Sequence, residues 1–309
     1  MNKLTHLYHH QSLFMKKSYL LPTLFALICF TSNAQSTKTI EEGGTGPYKA
    51  VISGEKSLPQ HTIYRPEDMS KTGKLPVLVW GNGGCANSSQ GHQNFLNEIA
   101  SHGYIVLAIG PYAEPGTTLS QEETRKRTTS AMMVEALDWI TAQNDDKASI
   151  YHEKADLKNA AVAGMSCGGL QAIEVADDPR FKTLMVMNSG VLNGAAPSNL
   201  PGMPAVTKDK LKSFHAPTLY VIGDTTDIAY NNAMDDYSRI DNVPVVMTNL
   251  NVGHGGTYSK PHGGAFSPLV LNWLDWHLKG KKDNKKLFVG ENCTWCGKEG
   301  WRVESKNFK

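Results

Sequence analysis

From about residue 45 onward the chain sets short unbroken apolar runs against longer stretches of helical spacing. Leu75-Pro76-Val77-Leu78-Val79-Trp80, 104–109, 159–163, 184–187, Thr218–Ile222 and 243–249 are of strand length and lack polar alternation. Strands buried on both faces read this way. Segments 49–53 and 61–65 read as two earlier strands. Between the 75–80 and 104–109 runs, 92–102 carries Phe95 and Ile99 at helical spacing and stops at Gly103. Residues 122–144 predict one long helix with Met132, Met133, Ala136, Leu137 and Ile140 on a shared face, and 268–278 predicts an amphipathic one. Alternation at this pitch predicts βαβ units: an α/β fold with a mostly parallel central sheet, helices on both faces and a single domain over 46–280.

The flanks differ from this core. Lys16-Lys17, the apolar run 20–30 and Ser32-Asn33-Ala34 form the pattern of a secretory signal peptide over 1–34, with Met15 an alternative start. Cys29 makes no lipoprotein box, because Ile28 stands where a small residue is needed. The run is short for a bilayer span, so no stable membrane insertion is expected after cleavage, and the expected location is secreted or periplasmic. Residues 35–45 are polar and Gly-rich, and predict a flexible leader. Residues 281–309 form a tail: a charge run, then Cys293-Thr294-Trp295-Cys296 and Trp301. The two tryptophans would pin the tail to the domain or cover a cleft. Residues 193–212, with three prolines, are the expected specificity loop.

Composition narrows the function. The 309 residues are 40% hydrophobic with a formal net charge of +2, ample for a core and no match for a polyanion. Without a basic stripe interleaved with aromatics, nucleic-acid binding is not expected. Of five cysteines, four follow the signal, and in an oxidising compartment they allow three pairings. Only Cys293 and Cys296 have ligand spacing, so no zinc or other metal site is expected, nor any cofactor.

The chemistry centres on Gly164-Met165-Ser166-Cys167-Gly168, straight after the run 159–163. A buried strand ending in Gly-x-Ser-x-Gly and turning into a helix is a nucleophile elbow. The reversal lifts the serine oxygen off the sheet and aims the next N–H at a developing oxyanion. Downstream come Gly223-Asp224-Thr225-Thr226-Asp227, after the 218–222 strand, and Gly253-His254-Gly255, after the last. Both sit at the carboxyl edge of a parallel sheet, where ligands bind. His254 is the expected proton carrier for Ser166, with His262 the decoy. Asp227 is preferred to Asp224 as the group that orients the imidazole, the other being a loop cap.

These motifs, together with Val79-Trp80-Gly81-Asn82-Gly83-Gly84 and Ile99-Ala100-Ser101-His102-Gly103-Tyr104, fall in one order along nearly the whole mature domain. On them the chain resembles the α/β-hydrolase superfamily, most closely secreted cutinase, polyester-hydrolase and dienelactone-hydrolase-like serine esterases. The resemblance implies an ester, small or polymeric, cut through an acyl-enzyme on Ser166, with Gly84 and Cys167 supplying the oxyanion N–H groups. Polyester hydrolases carry aromatics where Gly84 and Met165 stand here, so a polymer substrate does not follow. Dienelactone hydrolases use a cysteine, but Met165 breaks the pattern Cys167 would need. Tyr112, in the loop after the 104–109 strand, is a candidate substrate contact. Cys85 and Cys167 lie in adjacent loops and would either form a bridge bracing the oxyanion hole or remain two buried thiols. The same chemistry would serve a peptidase or another acyl-transfer enzyme, and a hydrolase scaffold can also serve a non-catalytic binding protein.

Overall fold

Among the described residues, ten strands form one sheet in the order β1-β2-β3-β5-β4-β6-β7-β8-β9-β10. They are β1 (Thr37–Lys38), β2 (Ala50–Glu55), β3 (Leu58–Pro66), β4 (Leu75–Gly81), β5 (Ile105–Ile109), β6 (Ala155–Met165), β7 (Phe181–Met187), β8 (Thr218–Ile222), β9 (Val245–Leu250) and β10 (Trp301–Lys306). The computed structural model describes Met1, residues 36–194 and residues 203–308. Neighbours from β5 through β4 to β9 pair in parallel, while β1–β3 and β10 are antiparallel. The parallel strands are the continuous apolar runs, for the reason given by their burial: all seven residues of β4 and all five of β8 are buried.

Helices cover both faces. Val77, Val79, Val162 and Tyr220 pack on one side against α3 (Ala131–Asp145), α4 (Cys167–Glu174) and Ala233 of α5 (Tyr230–Arg239). Leu78, Trp80, Ala163 and Val221 pack on the other against α1 (Gln93–Ser101) and α6 (Phe266–Leu278). Two short helices, α2 (Gln121–Arg125) and α7 (Lys285–Phe288), complete the set. The chain leaves β4 for β5 on one side and then returns to β6 on the other, so strand order reverses between β4 and β6. In open α/β sheets the crevice at the carboxyl ends of such a pair is where ligands bind.

Four differences from the sequence reading have physical causes. The helix expected over 122–144 is two, because Arg127 bridges to Ala86 and both the N–H and hydroxyl of Thr128 bond to the Cys85 carbonyl. Helix α5 is mostly polar, with only Ala233 and Asp236 buried, and offers no apolar stripe to read. Residues 35–45 are not a free leader where they are described: β1 pairs with β2, and Thr45 N donates to Glu98 Oε2 at 2.9 Å. The tail is part of the same compact unit as the rest of 35–309, because β10 extends the sheet beside β9. The signal peptide, apart from Met1, and residues 195–202 of the expected specificity loop lie outside the described residues.

Candidate active site

The site begins at the end of β6. Met165 closes the strand, Cys167 opens α4, and Ser166 between them takes φ 54° and ψ −118°. A side-chain-bearing residue there is strained by about 1–3 kcal/mol and persists only where its surroundings hold it. They do: Ser166 N–H donates to Met187 O at 2.9 Å, and Ser166 O accepts from the Ser189 hydroxyl at 2.7 Å and Gly169 N–H at 2.9 Å. The flanking glycines are required by close approach. A Cβ on Gly164 would lie 2.2 Å from Gly168 O, and one on Gly168 would lie 2.1 Å from the backbone of Gly81. Strand, helix and the end of β4 touch backbone to backbone, which is how the turn can be so tight.

The loops after β8 and β9 bring two further residues to this serine. His254 Nε2 lies 2.9 Å from Ser166 Oγ, and His254 Nδ1 lies 2.6 Å from Asp227 Oδ1. The loops are fastened to each other by Gly253 N–H donating to Gly223 O at 3.0 Å. Asp227 is fully buried at its side chain, while His254 keeps 28% of its side-chain exposure, enough for a substrate to reach the imidazole. Burial pushes the Asp227 carboxyl up, but hydrogen bonds from His254, the Ala229 and Gly223 N–H groups and the Asn188 amide outweigh it and hold it below the ordinary carboxylate range. It is an anion with every donor aimed at it. Chemically, the set can pass a proton from a hydroxyl to an imidazole whose new charge faces a fixed carboxylate.

Asn188 was not legible as a site residue. It follows β7 with φ 43°, is fully buried, and donates to Asp227 Oδ2 at 2.7 Å and Gly253 O at 3.2 Å. The Tyr258 hydroxyl donates to Asn188 Oδ1 at 2.6 Å. A polar Asn-Ser pair directly after an apolar strand was the available signal.

The loop after β4 lies across the elbow. Gly83 packs against the elbow: a Cβ on it would meet Met165 Sδ at 2.5 Å and Ser166 Cβ at 3.8 Å, while one on Gly84, at φ 63°, would meet nothing within 4 Å. The Gly84 carbonyl accepts from the Arg127 guanidinium. Cys85 and Cys167 are joined by a disulfide with Cα atoms 5.2 Å apart, and Cys293 is joined to Cys296.

Other candidates lie elsewhere. Asp224 is paired with Arg302 of β10 and caps its own turn through Thr225 N–H at 2.6 Å. His262 is held by Glu41 and Glu98, its N–H on the Glu41 carboxylate at 3.0 Å and its Nδ1 3.5 Å from Glu98 Oε2. Tyr112 lines a small pocket with Tyr64, Ser89 and Gln93 that includes none of Ser166, Asp227 and His254, and Lys38 Nζ lies 5.6 Å from its ring centre. Trp295 and Trp301 are buried 5.3 Å apart, centre to centre, under the tail.

A family model described as PET hydrolase-like matches residues 30–242, a span that takes in Ser166 and Asp227 and ends before His254. A hydrolase of Aspergillus flavipes, ffsE, is 31% identical over 150 residues, covering 45% of this chain and 31% of the fungal protein. The match therefore spans about a third of that relative's length.

Proposed function

The chain belongs to the PET hydrolase-like family, and from that premise we propose that it is a serine carboxylic-ester hydrolase. The reading rests chiefly on one observation, the continuous hydrogen-bonded line from Ser166 through His254 to Asp227 at 2.9 and 2.6 Å. Ser166 Oγ attacks the ester carbonyl as His254 Nε2 takes its proton, and Asp227 holds the imidazole tautomer and offsets the imidazolium charge. The oxyanion of the tetrahedral intermediate is received by the Cys167 N–H, at the start of α4, and by an N–H of the 83–84 turn. His254 then returns the proton to the leaving alcohol, and the acyl-enzyme is cleared by a water activated the same way.

The substrate class is a small or polymeric carboxylic ester. Ile228, next to Asp227 in sequence, and Val252, two residues before His254, are both exposed, 79% and 37%, and apolar surface on the two loops that carry the acid and the imidazole would suit an acyl chain or an apolar alcohol. Two disulfides fit a protein that works in an oxidising compartment, so its place of action is secreted or periplasmic.

A fluorophosphonate probe tests the assignment. The expected result is stoichiometric labelling at Ser166, located by peptide mapping, with loss of p-nitrophenyl ester turnover in step. Labelling at another residue, or full turnover after Ser166 is occupied, would remove the reading.

A further inference from the structure

We propose that the Cys85–Cys167 disulfide is a positioning crosslink: it holds the 83–86 loop against the helix behind Ser166, and its reduction slows acyl transfer without abolishing the fold. The inference rests on Ser166 being the nucleophile.

The bridge joins two segments whose relative position matters to within fractions of an ångström. Cys167 follows Ser166 directly and is the first residue of α4; Cys85 ends the short turn Gly83–Cys85, whose Gly83 backs onto Met165 and Ser166. Its two sulfurs span 82 residues of sequence, so nothing local in the chain would hold the loop there. Both cysteines are buried, 0% and 5% exposed.

A second tie runs beside the covalent one. Gln171, one turn along α4, donates to the Thr128 hydroxyl at 3.0 Å, and that hydroxyl donates to Cys85 O at 3.1 Å. Arg127 holds the Gly84 carbonyl. These bonds anchor the carbonyl side of the loop, and the disulfide anchors its side chain to the nucleophile's helix. With the bridge opened the loop stays attached by its outer edge and gains freedom on the edge that faces the serine. An oxyanion donor that drifts even slightly loses much of its effect on the transition state and little of its effect on the ground state. The tail bridge offers a contrast: Cys293 and Cys296 are three residues apart and their bond closes only a local turn.

Opening the bridge requires a thiol reductant. A reductant thiolate attacks one sulfur, forms a mixed disulfide and releases the other cysteine as a thiolate, which takes a proton. A second thiol then displaces the remaining cysteine, so the protein gains two electrons and two protons while the reductant leaves as its own disulfide.

The test compares wild type, Cys85→Ser/Cys167→Ser and Cys293→Ser/Cys296→Ser on one soluble p-nitrophenyl ester, well below each protein's Tm. The expected result is a fall in kcat of about tenfold or more with KM within about twofold for the first pair, and unchanged constants for the tail pair. Wild type treated with dithiothreitol should lose kcat in step with the appearance of free Cys85 and Cys167 by mass spectrometry, and recover it on reoxidation; this arm applies even where the double variant folds poorly. A double variant with lowered Tm and wild-type kcat, or reduced wild type at full turnover, would overturn the proposal and leave a merely stabilising crosslink. Ser166→Ala in the oxidised protein separates the two levels: if that variant keeps turnover, the nucleophile assignment has failed, and if it is inactive while the crosslink variants are fully active, only this inference has.

Discussion

Asn188 gives its side-chain amide to Asp227 Oδ2 at 2.7 Å while its own oxygen takes the Tyr258 hydroxyl at 2.6 Å. The carboxylate thus faces His254 with one oxygen and is steadied through the other, in a setting where an unmet charge would be costly. Asn188→Ala should lower kcat/KM by about tenfold, the scale of one hydrogen bond to a charged group. Steady-state kinetics on a p-nitrophenyl ester check this, and an unchanged constant would show that the remaining donors suffice.

Acid should weaken the fold through its buried histidines. Burial pushes both His92 and His277 down to about 4. A histidine depressed in this way is neutral in the folded chain while its unfolded counterpart protonates near pH ~6.5. Its contribution to stability is therefore present above that pH and lost as pH falls towards 4. Urea unfolding at pH 7 and pH 5 should show a clear drop, and His277→Phe should shrink it; an equal drop in the variant would contradict the account. Asp227, held low, adds its own loss only at more acidic pH.

Removing the tail should destabilise the sheet. Truncation after Gly280 deletes β10, bares the edge of β9 along 245–250 and removes Trp301 from its contact with Phe266. It also frees Asp224 from Arg302. An exposed apolar edge strand templates association, so the expected outcome is a Tm several degrees lower and aggregation on heating, read by scanning calorimetry and light scattering. A truncated chain that melts like the full one would mean the tail is an ornament.

The exposed Ile228, on the loop that carries Asp227, should affect chain-length preference. Ile228→Ser removes exposed apolar surface beside Asp227 and should cut kcat/KM for octanoate over acetate esters by about tenfold, as expected for a few methylenes that lose their contact. Equal loss for both esters would place Ile228 in the support of the loop instead.

The arrangement of the sheet could be read from the chain because parallel strands buried on both faces leave uninterrupted apolar runs, as at 75–81 and 218–222. Ser166 could be picked out because it stands between glycines that a close backbone approach demands, and Asp227 and His254 because each follows a parallel strand, in a glycine-bearing loop at the carboxyl edge of the sheet. What could not be read depends on contacts across the fold. Asn188 is defined by its partners, not by any local pattern. Helix α5 buries too little to leave a stripe, and the break at 126–130 exists because Arg127 and Thr128 serve the loop after β4. Strand β10 reads as a polar tail until β9 is beside it.

Ser166 as the nucleophile is tested most sharply by turnover of p-nitrophenyl acetate by purified Ser166→Ala beside wild type, with folding of both verified by circular dichroism. Wild type should give an initial burst and steady release, and the variant a loss of kcat by several orders of magnitude with no burst. A folded Ser166→Ala protein that still releases p-nitrophenol at the wild-type rate would contradict that role.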